Sequence, residues 1–142
     1  MADVVVIAQA EALGRVLVGH PLVAVQGGFP SPAQDYEGRS IDLNDILIKD
    51  RTSTYVVRVT GDSMAGAGIA HGDEVIVDRS LTPHDGNVVI AIVDGELTIK
   101  RLRIRPDGTF LVPENRDYPV QRLAEHAELQ IWGVVTRSLH HV

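Results

Sequence analysis

The sequence predicts a mostly β fold, a single twisted, partly closed β-rich domain with an extended, mobile N-terminal arm. Three observations predict it. Short apolar segments recur from Tyr55 to Val135 with Gly, Pro and Asp turn signals between them. The first 50 residues differ in texture, with brief apolar pieces broken by Gly and Pro. The chain has 142 residues, 44% hydrophobic and 23% charged, which suits one globular domain with a real core.

The elements follow in order. His20-Pro21, Gly27-Gly28, Phe29-Pro30 and Ser31-Pro32 are turn or extended signals, because proline restricts its own φ and its predecessor. Residues 1–38 therefore read as the arm and residues 39–142 as the domain. Asp42–Lys49 reads as a short helix. Tyr55–Thr60 alternates as a strand. Glu74–Asp78 follows a His-Gly-Asp turn, and Asn87–Val93 follows Pro83-His84-Asp85-Gly86. Asp94-Gly95 is a hairpin signal leading into Glu96–Arg105. Pro106-Asp107-Gly108 turns the chain into Thr109–Val112, and Leu129–Val135 closes the domain.

Composition excludes several function classes. The net charge of −6 gives no electrostatic case for sequence-specific DNA binding. There are no cysteines, so thiol nucleophiles, disulfides and thiolate metal sites are out. Val4–Ala8 is apolar but is interrupted by Asp3, Gln9, Glu11 and Arg15 and lacks a basic leader. Neither a signal peptide nor a membrane contact is expected, and a cytoplasmic location fits.

Two residues carry chemistry. Ser63 lies in Val59-Thr60-Gly61-Asp62-Ser63-Met64 and Lys100 in Gly95-Glu96-Leu97-Thr98-Ile99-Lys100. A serine hydroxyl is a weak nucleophile until a base takes its proton, and a neutral lysine can serve. Burial favours the neutral amine. On an unbroken strand Lys100 shares a face with Leu102 and Ile104, while Arg101, Arg103 and Arg105 face the other way. Leu97 and Ile99 fall in the opposite phase, so either both faces are buried or a bulge shifts the register. Gly61, Gly66 and Gly68 permit a tight turn whose backbone N–H groups face a developing oxyanion. A lone turn serine is structural more often than catalytic and a lone strand lysine is usually solvated. The argument rests on the pair.

The remaining polar residues have plainer readings. His20, His71, His84 and His126 are scattered, and His140-His141 form a tail feature, so no metal and no cofactor is expected. His71 reads as a turn residue, with proximity to Ser63 as the alternative. Asp62 and Asp78 suit turn and strand-end roles better than catalysis. Trp132 suits packing. The Arg101–Arg105 stripe reads as a solvated face, with an acidic partner or DNA as the alternative.

Taken together, the motifs resemble the UmuD branch of the LexA-related self-cleaving Ser–Lys proteases. Gln26-Gly27-Gly28-Phe29-Pro30-Ser31-Pro32-Ala33-Gln34-Asp35-Tyr36 looks like that branch's cleavage segment, and Arg39–Asn44 like the segment after it. Gly61-Asp62-Ser63-Met64 matches the nucleophile motif and Thr98-Ile99-Lys100 the lysine motif, 37 residues apart. Gly72-Asp73, Ile76-Val77-Asp78, Val93–Glu96 and Trp132–Val135 match the intervening and closing strands. The resemblance implies Ser63 as nucleophile, Lys100 as general base, the backbone N–H groups of Asp62 and Ser63 as oxyanion hole, and Gly27–Gly28 as the scissile bond. Gly27 departs from the usual Ala or Cys, adding backbone freedom and losing a side-chain contact.

The resemblance further implies a homodimer and a cut stimulated by a RecA filament on single-stranded DNA. The trimmed form would serve as accessory subunit of an error-prone translesion polymerase with a UmuC-like catalytic subunit. With 26 residues before Gly27, a helix-turn-helix reader is not expected, which separates this reading from a repressor. A membrane-anchored signal peptidase also uses Ser and Lys, but no anchor is expected from this sequence. A non-cleaving adaptor of the same fold, binding polymerase, clamp or RecA, is the alternative function.

Overall fold

The computed structural model describes residues 3–10, 17–19, 40–50, 52–123 and 130–142. Gly27 and Gly28, with His20 and His126, lie outside the described residues. The chain divides into two compact units, Met1–Glu11 with Asp50–Val142, and Ala12–Lys49.

The smaller unit holds β2 (Leu17–Gly19), which pairs antiparallel with β3 (Ser40–Asp42). The short helix α1 follows at Leu43–Leu47, inside the predicted span. The Asp42 side chain accepts a hydrogen bond from the Asn44 N–H at 2.9 Å, so the helix starts where a free backbone donor finds a carboxylate.

The larger unit is one eight-stranded antiparallel sheet. Its strands are β1 (Val4–Gln9), β4 (Thr54–Val59), β5 (Glu74–Asp78), β6 (Val88–Val93), β7 (Glu96–Arg105), β8 (Gly108–Val112), β9 (Gln121–Arg122) and β10 (Ile131–Leu139). They are ordered β1-β4-β5-β10-β6-β7-β8-β9. The predicted mostly β class is thus the class observed. The β6–β7 turn is made by Asp94 (φ 51°) and Gly95 (φ 79°), both left-handed, which matches the twist of a two-residue hairpin.

The ten-residue β7 lies between β6 and β8, and the register on each side is continuous. Ile99 packs with Val57, Val59, Met64, Val75, Val77 and Ile90. Leu102 packs with Val89, Ala91, Leu111 and Val134 in a second cluster. Both faces of the strand are therefore covered. The two phases of apolar residues in β7 reflect double burial and not a bulge.

Two strands extend beyond the sequence reading. Residues 4–9, read as part of the arm, form an edge strand paired with β4, with a register shift between Val6 and Ala8. Val4 enters the first cluster while Val5 and Ile7 face out, which is the alternation of a half-buried strand. β10 runs to Leu139. Residues 131–134 pair with β6 and residues 134–139 with β5, the β5 pairing carrying a register shift between Val135 and Arg137. The polar run Thr136-Arg137-Ser138 conceals that extension, because backbone pairing rather than side-chain burial holds it.

Beyond β10 the chain is pinned to the start of β5. His140 Nδ1 lies 2.6 Å from Asp73 Oδ1 and His141 Nε2 lies 2.7 Å from Glu74 Oε2. Burial pushes the Asp73 carboxyl up, but the Ala70 N–H and His140 outweigh it and hold the group below the usual carboxylate range. A depressed carboxyl stabilises the fold above its unfolded pKa, and that contribution disappears as pH falls through the folded value. Thermal melts from about pH 5 to about pH 3 should therefore show a falling midpoint, with the slope reduced in Asp73→Asn. In the core, Leu102→Ala should lower unfolding free energy by about 2–5 kcal/mol in urea titrations. A loss under about 1 kcal/mol would contradict the packing of Leu102 described above.

Candidate active site

Ser63 follows the end of β4. The Val59 N–H donates to the Asp73 carbonyl at 2.8 Å, and the Gly72 N–H returns to the Val59 carbonyl at 2.7 Å, fixing where the strand stops. Met64 is fully buried in the first cluster and anchors the chain next to Ser63. A single 3₁₀ turn at Ala65–Ala67 follows, closed by Gly68 N–H donating to the Ala65 carbonyl at 3.0 Å. Ser63 itself is 1% exposed.

The loop after β8 clasps this turn at three points. The Gly66 N–H donates to the Glu114 carbonyl at 2.7 Å, and Asn115 Nδ2 donates to the Asp62 carbonyl at 2.9 Å. The Tyr118 hydroxyl donates to Asp62 Oδ1 at 2.5 Å, a bond that holds the phenol above its usual pKa. A Cβ on Gly66 would stand 2.7 Å from the Glu114 carbonyl oxygen, so the approach requires glycine. Arg101 braces the loop from β7, donating through Nε to Glu114 Oε1 at 2.6 Å and through Nη1 to the Gly86 carbonyl at 2.6 Å.

Lys100 approaches from β7 and is 7% exposed. Its Nζ lies 3.3 Å from Ser63 Oγ. It also donates to Thr98 Oγ1 at 2.7 Å, to the Ile99 carbonyl at 2.9 Å and to Asp3 Oδ2 at 2.8 Å. Asp3 Oδ2 accepts from Ser63 Oγ at 3.1 Å and from Thr98 Oγ1 at 3.2 Å, and Asp3 Oδ1 accepts from the Ile99 N–H at 2.9 Å. A cleft of about 450 Å³ opens beside these groups, lined in part by Gly61, Asp94, Glu96, Tyr118 and Gln121.

The structure thus brings together Ser63 and Lys100, with Asp62 next to them. The sequence reading missed Thr98 and Asp3. Thr98 is two residues before Lys100 on one strand, so it shares the lysine's face, and that spacing was a usable signal. Asp3 left no local signal, since it reaches the site through the pairing of β1 with β4.

Other candidates have structural partners. Asp78 Oδ1 accepts from Ser53 Oγ, the Ser80 N–H and Ser80 Oγ, which is a strand-end role. Trp132 meets Tyr55 edge-on at 5.0 Å, with Arg79 lying 4.6 Å from the centre of the indole ring. His71 is exposed in the turn before Asp73, and Asn87 Oδ1 accepts from the His84 N–H at 2.8 Å. Of the arginine stripe, Arg101 is taken up by Glu114 and Arg105 stacks 5.6 Å from the Phe110 ring centre.

Comparison with known proteins shows the family of the chain. Residues 18–136 match the Peptidase S24-like family. This chain belongs to that family. Protein MucA of Salmonella typhimurium is 43% identical over 119 residues, covering 83% of this chain and 81% of MucA. Protein SamA of the same species is 45% identical over 113 residues, 80% of this chain and 78% of SamA. Protein ImpA of Escherichia coli is 44% identical over 115 residues, 81% of this chain and 78% of ImpA. These relatives place the S24-like chain in the UmuD branch. No helix among the described residues is long and apolar enough to cross a membrane.

The clasp on the Ser63 turn of this S24-like protein is testable. Gly66→Ala should push the Glu114 carbonyl away and reduce any Ser63-dependent activity by about tenfold or more. Its thermal midpoint should drop by only a few degrees. Unchanged activity would show that the turn does not depend on the loop.

Proposed function

We propose that this protein is a self-cleaving serine endopeptidase of the DNA-damage (SOS) response. The observation that carries the proposal is the 3.3 Å approach of Lys100 Nζ to Ser63 Oγ where both side chains are buried. The substrate bond is Gly27–Gly28, and the arm is residues 1–38.

In the reactive state Lys100 is a neutral amine. Ser63 Oγ attacks the Gly27 carbonyl carbon as Lys100 Nζ takes the serine proton. The resulting oxyanion is met by the backbone N–H groups of Asp62 and Ser63. The intermediate collapses as Lys100 returns the proton to the Gly28 nitrogen, which leaves as an amine, with Gly27 held as an ester on Ser63. Water then attacks that ester and gives its proton to Lys100. Release of the Gly27 carboxyl group restores the Ser63 hydroxyl.

The membership of the UmuD branch supports the wider assignment. In it a RecA–single-stranded DNA filament stimulates the cut, and the trimmed homodimer serves as accessory subunit to a UmuC-like error-prone polymerase in the cytoplasm. The test is the intact mass of wild type, Ser63→Ala and Lys100→Ala, incubated first at about pH 10 and then with RecA filaments and nucleotide. Wild type should lose residues 1–27 while both variants stay whole. Wild type that stays whole under both conditions would instead favour the non-cleaving adaptor, and cutting in all three would mean a contaminating protease.

A further inference from the structure

We infer that the Ser63–Lys100 cleft contains a carboxylate subsite, filled in the resting chain by its own Asp3, and that this occupancy restrains self-cleavage. The inference rests on the proposed function for its consequence, but the contact itself is a feature of the fold.

The subsite has four donors from two places in the chain. They are Ser63 Oγ from the nucleophile turn and Thr98 Oγ1, the Ile99 N–H and Lys100 Nζ from β7. Both carboxylate oxygens are engaged, and the Asp3 side chain is 14% exposed. A charged group accommodated to this extent is compensated by its partners, not merely solvated. Donors of this kind suit a carboxylate, which accepts through both oxygens.

Occupancy conflicts with catalysis in two ways. Asp3 Oδ2 stands 3.1 Å from Ser63 Oγ. That is the near-attack distance of about 3–3.5 Å that a substrate carbonyl carbon must take. The hydrogen bonds also run in the wrong direction. Ser63 Oγ donates its hydrogen bond to Asp3, while Lys100 Nζ donates to Asp3, Thr98 and the Ile99 carbonyl. The mechanism requires Lys100 to accept the serine proton instead. In this arrangement the carboxylate holds both side chains in hydrogen bonds that catalysis must break.

The occupant is placed so that it can leave. Asp3 precedes β1, an edge strand with one neighbour, and its own carbonyl accepts from the Thr60 N–H at 2.8 Å. Withdrawing the start of β1 clears the cleft without breaking the central strands. A cut at Gly27–Gly28 also places Asp3 on the arm side of the break, so the restraint belongs to the intact chain.

The experiment compares wild type, Asp3→Asn, Asp3→Ala and Asp3→Glu at about pH 7.5 by intact mass, with and without a small fluorophosphonate that labels activated serines. One spectrum then reports two species, the chain lacking residues 1–27 and the full-length Ser63 adduct. Ser63→Ala combined with Asp3→Ala supplies the background. Asp3→Asn keeps an acceptor for the Ile99 N–H and so guards against loss of β1. Removing the carboxylate releases Ser63 Oγ and Lys100 Nζ from their shared acceptor, and regained alignment of a reacting pair is worth about tenfold or more. Asp3→Asn and Asp3→Ala should therefore cleave and label about tenfold faster than wild type, with Asp3→Glu between them.

Slower cleavage and labelling in Asp3→Asn would overturn the inference and make Asp3 a positioning residue for Lys100. Equal rates would overturn it too. If no variant is cut but the Asp3 variants label faster, the cleavage reading fails and the subsite stands. If no variant is cut and labelling is unchanged, both fail.

Discussion

The double burial of β7 is the constraint on which the rest of the structure depends. A strand with one wet face would hold Lys100 in solvent as an ordinary ammonium. Here Ile99 belongs to one apolar cluster and Leu102 to the other. Lys100 follows Ile99 on this strand and shares the Leu102 face, with its amine 3.3 Å from Ser63 Oγ. Removing a lysine from water is unfavourable unless its donors are satisfied. The partners that satisfy them, Thr98, the Ile99 carbonyl, Ser63 and Asp3, define the site. The requirement that buried polar groups be paired thus shapes both the fold and the chemistry.

Ser63 is held by a different means. Ser63 sits on a turn too short to be rigid by itself, and its geometry comes from what it touches. Met64 anchors it in the core, and the loop at 113–118 holds it through Glu114, Asn115 and Tyr118. Arg101 carries that loop back to β7, the strand that bears Lys100. Ser63 and Lys100 are consequently positioned by one connected set of contacts, although they lie 37 residues apart. Such a set holds a reactive pair in register more firmly than a pairwise hydrogen bond does.

Much of this was legible in the sequence because local rules agreed with the global fold. β5 and β7 have the predicted bounds, since Gly-Asp and Asp-Gly turns frame them and β-branched residues fill them. Ser63 and Lys100 were legible as motifs at a fitting separation. The ambiguity in the phase of β7 was a genuine signal of two covered faces. What stayed hidden is nonlocal. Val4–Gln9 looks like a fragment of an arm until β4 is placed beside it. The approach of Asp3 to Lys100 spans 97 residues and depends on that pairing. The polar end of β10 likewise becomes a strand only through the backbone of β5.

The central claim is that a buried amine, not a histidine or a metal, drives the chemistry at Ser63. The pH dependence of the self-cleavage rate tests it most directly, followed from about pH 7 to about pH 10 in wild type. A rate that climbs steadily across the range, toward about tenfold per pH unit at its steepest, is the predicted result, because only the deprotonated lysine can take the serine proton. A flat or falling profile would contradict Lys100 as the base.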